Sequence, residues 1–320
     1  MDELRVGLLG AGQAAHSHVR ALARRDDCRL TLVFDPDAGR ARDLAGTVEG
    51  LEPVGSADLA FSGENDAVVI AAPTQEHFDL GRSALEAGLH VLMEKPFTRT
   101  APQAERLAEI ADSSGLVLMP AQVARFVPAV TAVRERIAAA DHGPLLQAVE
   151  RRFTTATSSS GWRQSLPEFL IPHLGSHSLD AFLWLTGEEV EDVHCWASSV
   201  RPDQGVVDEF TLVATTTTGA TLSLHQTLSS RMEVFDWVFV WREATAVIEG
   251  LRSSRWNGLP LVEPQGPSAM TDGFEAQASE FVGACRGDRS LETTVVSVLP
   301  ALRALDLAVI DAGIHLSGKG

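Results

Sequence analysis

Short apolar runs and segments of helical period alternate along the first part of the chain. Residues 4–9, 30–34, 67–72, 90–93 and 116–120 are apolar almost throughout, which predicts strands. Between them, 14–25, 36–44, 75–87 and 101–113 carry the spacing of helices. Strands that are apolar on both faces, each followed by a helix, predict a parallel sheet covered on both sides. Residues 1–120 are therefore expected to form a doubly wound α/β nucleotide-binding domain.

From residue 121 to 320 the pattern differs. Runs 145–153, 190–200, 206–216, 220–228 and 234–248 are longer, and several alternate. Leu222, Leu224 and Leu228 share one face, with Thr221, Ser223 and Thr227 on the other. That alternation predicts an antiparallel sheet with two unlike faces in an α+β domain. Phe235, Trp237, Phe239 and Trp241 also line up on one face, as expected of a core or a subunit interface. A helix is expected at about 173–185. A last one runs at about 293–314, with Pro300 marking a kink or a first turn. Residues 158–161 and 264–268 read as surface loops.

Composition narrows the class. The 320 residues are 45% hydrophobic and 22% charged, enough to bury a sizeable core. A formal net charge of −17 disfavours nucleic acid and anionic membrane as partners. The chain enters an apolar strand by Leu4, and no run spans a bilayer, so neither a targeting peptide nor a membrane segment is expected. Cys28, Cys195 and Cys285 lie far apart without a C-x-x-C pair and read as reduced thiols in a cytoplasm. There is no tyrosine, which removes chemistries with a phenolic proton donor. Of 26 Lys+Arg residues only Lys95 and Lys319 are lysine, and lysine, unlike arginine, exchanges a proton when its pKa is lowered.

The candidate chemistry begins at the first strand-to-helix turn. Gly10-Ala11-Gly12-Gln13-Ala14-Ala15 places a glycine pair between strand and helix, with Ala15 where a fingerprint's third glycine would stand. Gly10 allows the tight turn, and Gly12 lets the backbone amides approach a pyrophosphate. Asp35 follows at the end of the second strand, placed to accept hydrogen bonds from ribose hydroxyls and to repel a 2′-phosphate. NAD is thus expected in preference to NADP, although Arg40 stands close by in sequence. At the carboxyl ends of later strands come Pro73-Thr74-x-x-His77 and Glu94-Lys95-Pro96, where open α/β folds bind ligands. Arg125, Trp162 and Arg163 are candidates for a substrate wall, with crossover packing and a solvated loop as the structural alternatives.

These features together resemble the Gfo/Idh/MocA family of oxidoreductases. The resemblance is carried by Gly10-x-Gly12-x-x-Ala15-x-x-His18, Asp35, Pro73-Thr74-x-x-His77, Glu94-Lys95-Pro96, Arg125-Phe126-x-Pro128 and Gly175-x-His177-x-x-Asp180. It implies a Rossmann domain followed by an open, mostly antiparallel sheet domain, and a homodimer or homotetramer formed through that sheet. It implies hydride transfer between NAD and a carbinol or ketone carbon of a sugar, inositol or related polyol. Cofactor contacts would fall on Gly10, Gly12, Gln13, Ala14, Asp35, Pro73, Thr74, His77, Glu94 and Lys95. Lys95 would lie against the reacting oxygen and favour a developing alkoxide. His177 would be the acid/base, since imidazole exchanges protons near neutral pH.

Asp180, three residues on, would orient His177 or cap local backbone. His173 takes the place of the family's usual aspartate and is a further catalytic or substrate-binding candidate. A His173-x-x-x-His177 pair near Glu168 also suggests zinc, but no third ligand of recognisable spacing follows, so no metal is expected. Two other readings keep the fold: a glycosidase using bound NAD for transient oxidation and elimination, and a non-catalytic dinucleotide-binding protein.

Overall fold

A computed structural model describes residues 3–154, 170–200, 207–266 and 268–314. The chain divides into two compact units, 1–123 with 271–299, and 124–270 with 300–320. The first boundary falls close to the composition change. The return of 271–299 to the first unit was not anticipated, because the helix that carries it sits far along the sequence.

The first unit holds a six-stranded parallel sheet in the order β3-β2-β1-β4-β5-β6. Its strands are β1 (Leu4–Leu9), β2 (Cys28–Phe34), β3 (Glu52–Val54), β4 (Ala67–Ile70), β5 (His90–Glu94) and β6 (Leu118–Ala121). Helices α1 (Gln13–Leu22), α2 (Ala38–Ala45), α3 (Thr74–Glu86) and α4 (Ala101–Ser114) alternate with them. Strand β4 is buried at every position, as a central parallel strand covered on both faces must be. On α3, Gly81 lets the helix lie close to Met93, since a Cβ there would come within 2.4 Å of the methionine methyl group. Helix α7 (Ser268–Cys285) completes the unit.

In the second unit α5 (Pro128–Ala139) leads into β7 (Leu145–Phe153), then α6 (Leu170–Thr186) and β8 (Val190–Ser198). Strands β9 (Glu209–Thr216), β10 (Thr221–Thr227), β11 (Val234–Trp241), β12 (Thr245–Glu249), β13 (Ser253–Trp256) and β14 (Leu259–Val262) follow. The sheet order is β14-β13-β12-β11-β7-β10-β9-β8, antiparallel except where β10 runs parallel to β7. The expected single run 234–248 is a hairpin, turned at Arg242–Ala244. Helix α8 (Val295–Asp311) contains Pro300, at the division between the units.

The alternation reads out as expected in β10. Leu222 and Leu224 are fully buried, and Thr221, Ser223 and Thr227 only half so. The aromatic stripe is core: Trp237 and Phe239 are completely buried and Trp241 nearly so, with Phe182 of α6 edge-on to Trp237 at 5.6 Å. Phe235, at the start of the stripe, is half-buried and packs against this core. No cysteine is in a disulfide, and burial pushes the Cys28 and Cys195 thiols up to about 12. No helix among the described residues is long and apolar enough to cross a membrane.

Candidate active site

The glycine turn leaves β1 with Gly10 at φ 104°, a conformation that side-chain-bearing residues rarely adopt. A Cβ there would lie 2.4 Å from the Ala71 carbonyl oxygen, so the turn rests directly on the chain leaving β4. Gly12 caps α1 in extended geometry, and a Cβ on it would meet nothing within 4 Å. Internal packing therefore does not require that glycine. It keeps the first-turn amides of α1, at Gln13 and Ala14, open to an approaching anion. Ala15 is fully buried, where the close packing of helix on strand leaves little room.

Asp35 closes the other side of this turn. One of its oxygens accepts from the Ala11 N–H at 2.8 Å and the other from the Asp37 N–H at 2.9 Å. Each oxygen keeps a lone pair for a ribose hydroxyl. Arg40 makes an exposed ion pair with Asp37 at 3.4 Å rather than with Asp35. The open cradle at Gly12 beside an ordered carboxylate fits a dinucleotide that carries a free 2′-hydroxyl.

Lys95 follows β5, with Glu94 level with Ala121 on neighbouring β6. It is half-buried, and the residues on both sides of it are buried. The Glu94 carboxylate accepts from the Lys95 N–H at 3.0 Å and pairs with His18 Nε2 of α1 at 2.8 Å. Burial alone would raise the Glu94 pKa. The His18 hydrogen bond and charge, with the Lys95 charge, more than offset this and hold the carboxyl below its ordinary value. Phe274 of α7 meets the His18 ring edge-on at 5.1 Å. The Lys95–Pro96 peptide is cis. His77, in the first turns of α3, is 1% exposed; its Nδ1 lies 2.9 Å from the Pro96 carbonyl oxygen and 3.1 Å from that of Phe97. Its Nε2 lies 2.9 Å from the Ala72 carbonyl oxygen.

In the second unit α6 carries His173 and His177 four residues apart, hence on one face, and both are half-buried. The residues behind them fix the helix. Asp180 accepts from Arg125 Nε at 2.8 Å and Nη2 at 2.5 Å, with both side chains at most 2% exposed. Burial raises the Asp180 pKa against the lowering effect of the Arg125 charge and hydrogen bond. Ser178 donates to Glu150 of β7, a fully buried carboxylate that also accepts from Gln226 of β10 and from Trp237 Nε1 of β11 at 3.1 Å. Burial pushes Glu150 up, although Arg152 and these three donors oppose it. Sequence reasoning missed this cluster. The signal was parity, since Glu150 shares the inward register of Ala148 in β7.

Residues 4–122 match the model of the Gfo/Idh/MocA oxidoreductase family's NAD-binding Rossmann fold, and 130–247 match the family's C-terminal domain. The chain belongs to that family. It is 28% identical over 317 residues to the rhizopine catabolism protein MocA of Rhizobium meliloti, covering 96% of this chain and 95% of that one. It is 28% identical over 303 residues to a UDP-N-acetylglucosamine 3-dehydrogenase of Acidithiobacillus ferrooxidans, covering 90% and 91%. The fold is shared with the WlbA dehydrogenase of Bordetella pertussis, solved with NADH and UDP-GlcNAcA, at a TM-score of 0.85 and 20% identity, covering 98% and 96%. The chain is accordingly an oxidoreductase with an NAD-binding domain.

Within this family member, several polar residues that the sequence offered for ligand contact have other work. His77 presents no nitrogen to a cofactor, because both point at main-chain carbonyl oxygens. Arg125 is nearly sealed from solvent and forked onto Asp180, its guanidinium 5.7 Å from the Trp184 ring, so it packs the crossover rather than a substrate wall. Asp180 is committed to the same pair. Pro73 caps α3, and Thr74 is buried in its first turn. Trp162, Arg163 and the loop 158–161 lie outside the described residues. Among the described residues no group of three or more His, Cys, Asp or Glu is gathered as for a metal ion.

Proposed function

We propose that the enzyme is an NAD(H)-dependent dehydrogenase or reductase acting on a CH–OH or ketone carbon of a sugar, inositol or related polyol. The observation that carries this reading is the setting of Lys95. It is one of two lysines in the chain, it stands at the carboxyl edge of the sheet, and its flanking residues are held by buried histidines. That edge belongs to the same unit as a glycine turn and carboxylate suited to NAD. Bound NAD supplies the hydride acceptor or donor. The α1 amides hold the pyrophosphate, Asp35 accepts from the ribose, and Glu94 keeps the Lys95 backbone in place. The Lys95 ammonium stabilises negative charge on the substrate oxygen, and His177 exchanges the hydroxyl proton. His173, an imidazole where the family resemblance implies a carboxylate, hydrogen-bonds a substrate hydroxyl as donor or acceptor according to its tautomer.

A panel of sugars, inositols and sugar acids, followed by NADH absorbance in both directions, identifies the substrate. Lys95→Ala and His177→Ala should each lower kcat by at least about 100-fold, the ordinary worth of acid–base and oxyanion assistance, while NAD still binds. Parent turnover by either variant would sink the assignment. Glycoside cleavage without net NADH would select the elimination reading instead.

We also propose self-association through the eight-stranded sheet, by the face opposite the aromatic stripe. Val149, Val213, Val238, Val240 and Val247 lie there only half-covered, and a second copy would complete their burial. A sedimentation mass equal to the 34.3 kDa chain at micromolar concentration would refute it.

A further inference from the structure

We propose that His77 is a positioning residue for Lys95, its buried imidazole bridging the chain leaving β4 to the Pro96–Phe97 segment that follows the lysine. This rests on the reading of Lys95 as the group that meets the substrate oxygen. The geometry is restrictive. The ring is 1% exposed, and the atoms its nitrogens meet are all carbonyl oxygens: Pro96 and Phe97 at Nδ1, Ala72 at Nε2. Carbonyl oxygens only accept, so a nitrogen facing one is satisfied only when it bears hydrogen. An imidazolium donates on both sides. A neutral ring donates on one and sets a lone pair against an oxygen on the other.

Burial holds the His77 pKa below its ordinary value, while the Ala72, Phe97 and Pro96 carbonyls and the Glu94 carboxylate act in the opposite direction. A single proton belongs on Nδ1, where two carbonyl oxygens receive it, rather than on Nε2, where there is one. The Nδ1–H bond is therefore the one that restrains the lysine's own segment. On the other side of Lys95, Glu94 is held by His18. The lysine is thus the middle residue of a stretch pinned at both shoulders by buried imidazoles from two different helices, α1 and α3. His77 directs both ring nitrogens, and His18 its Nε2, to the protein itself. Each removes a direction in which the backbone under the ammonium could drift.

An asparagine amide mimics Nδ1–H, and a glutamine amide mimics Nε2–H. His77→Asn should therefore keep the restraint on Pro96 and Phe97, and His77→Gln should lose it. The readout exploits the lysine-poor chain: reductive methylation with ¹³C-formaldehyde labels only Lys95, Lys319 and the α-amino group, with Lys319→Arg assigning the signals. We expect His77→Asn to keep the parent chemical shift and titration of dimethyl-Lys95. His77→Gln should shift both and, unmethylated, lower kcat roughly 10- to 100-fold, the range for small misplacement of a reacting group, with KM for NAD little changed.

Folded His77→Asn and His77→Gln proteins that both keep the parent Lys95 titration and kcat would overturn the proposal. So would the reverse order, with Gln rescuing and Asn failing. If neither variant folds, ¹⁵N-histidine spectra of the parent decide, because a neutral His77 protonated only at Nε2 contradicts the bridge and one protonated at Nδ1 supports it. The Lys95 signal is read without turnover. Failure of Lys95→Ala to lose activity would refute the catalytic assignment and leave the positioning result standing.

Discussion

Removing Arg125 should destabilise the second unit by about 3–5 kcal/mol, the usual consequence of leaving one member of a buried ion pair without its partner. The value belongs at the upper part of what single substitutions do, because the pair is almost completely dry. Its side chains are 2% and 1% exposed, and two hydrogen bonds at 2.8 and 2.5 Å join them. Arg125→Met keeps most of the side-chain volume and takes away only the charge and the donors. Asp180 already has a pKa raised by burial, with Arg125 opposing the rise; without Arg125 it rises further. A carboxyl whose folded pKa exceeds its unfolded value takes up a proton on folding. Stability of the variant therefore increases as pH falls from neutrality toward the ordinary aspartate value, and its deficit relative to the parent narrows. Asp180→Leu should be damaging in the same range, whereas Arg125→Met/Asp180→Leu should return to within about 2 kcal/mol of the parent. All six tryptophans, from Trp162 to Trp256, belong to the second unit, so fluorescence-detected guanidinium unfolding reports on that unit alone. Additive single losses, or a loss under about 1 kcal/mol for Arg125→Met, would show that the pair does not hold this structure together.

The first unit contributes two more tests, both followed by circular dichroism because it lacks tryptophan. Gly10→Ala places a methyl 2.4 Å from the Ala71 carbonyl oxygen at φ 104°; it should destabilise by about 1–3 kcal/mol and weaken NADH binding at least about tenfold, and unchanged fluorescence titrations would refute the account of the turn. Glu94 has a folded pKa lowered below its ordinary value of 4.5, so the stability it supplies is present above that value and lost as pH falls through the folded pKa. Glu94→Gln should therefore be less stable by about 2 kcal/mol at neutral pH, as for loss of a charge-assisted bond, and the difference from the parent should shrink on acidification. A difference constant from pH 7 to pH 3 would refute it.

The parallel sheet was legible because its longer strands are mostly apolar and alternate with helices. The glycine turn was legible because backbone geometry itself demands the residue. Elements with weaker local signals escaped. Strand β3 is three residues long, contains Pro53 and lies at the sheet edge, so it has almost no hydrophobic pattern of its own. Helix α7 includes Gly273 and Gly283, and its assignment to the first unit is a matter of tertiary contact. The parallel pairing of β10 with β7 joins residues some 75 positions apart, and nothing in either strand announces it. Polar residues were the hardest to place. Local sequence does not say whether a histidine or arginine is dry, so His77 and Arg125 looked like ligand contacts. Asp35 and Lys95 carry a stronger local signal, since strand ends at the carboxyl edge of such a sheet are where ligands bind.

That misreading has a physical origin that bears on the chemistry. A group that must meet a reacting atom within a few tenths of an ångström cannot be placed by apolar packing alone, because apolar contacts are non-directional. Hydrogen bonds in a dry setting are directional, and leaving one unmade is unfavourable by about 1–3 kcal/mol. Here polar anchors stand beside the side chains proposed to act: His18 and Glu94 before Lys95, His77 after it, and Ser178 with Glu150 next to His177. Asp180 with Arg125 adds a second fixed point on the helix that bears His177. Glu94, Ser178 and Asp180 sit one to three residues from the group they steady, and His18, His77, Glu150 and Arg125 reach those segments from other elements. In the proposed reading the short polar motifs mix half-buried residues that would touch the reaction with buried ones that hold them still. Substitution of an anchor should then disturb kcat more than cofactor affinity, whereas substitution at Gly12 or Asp35 should do the reverse.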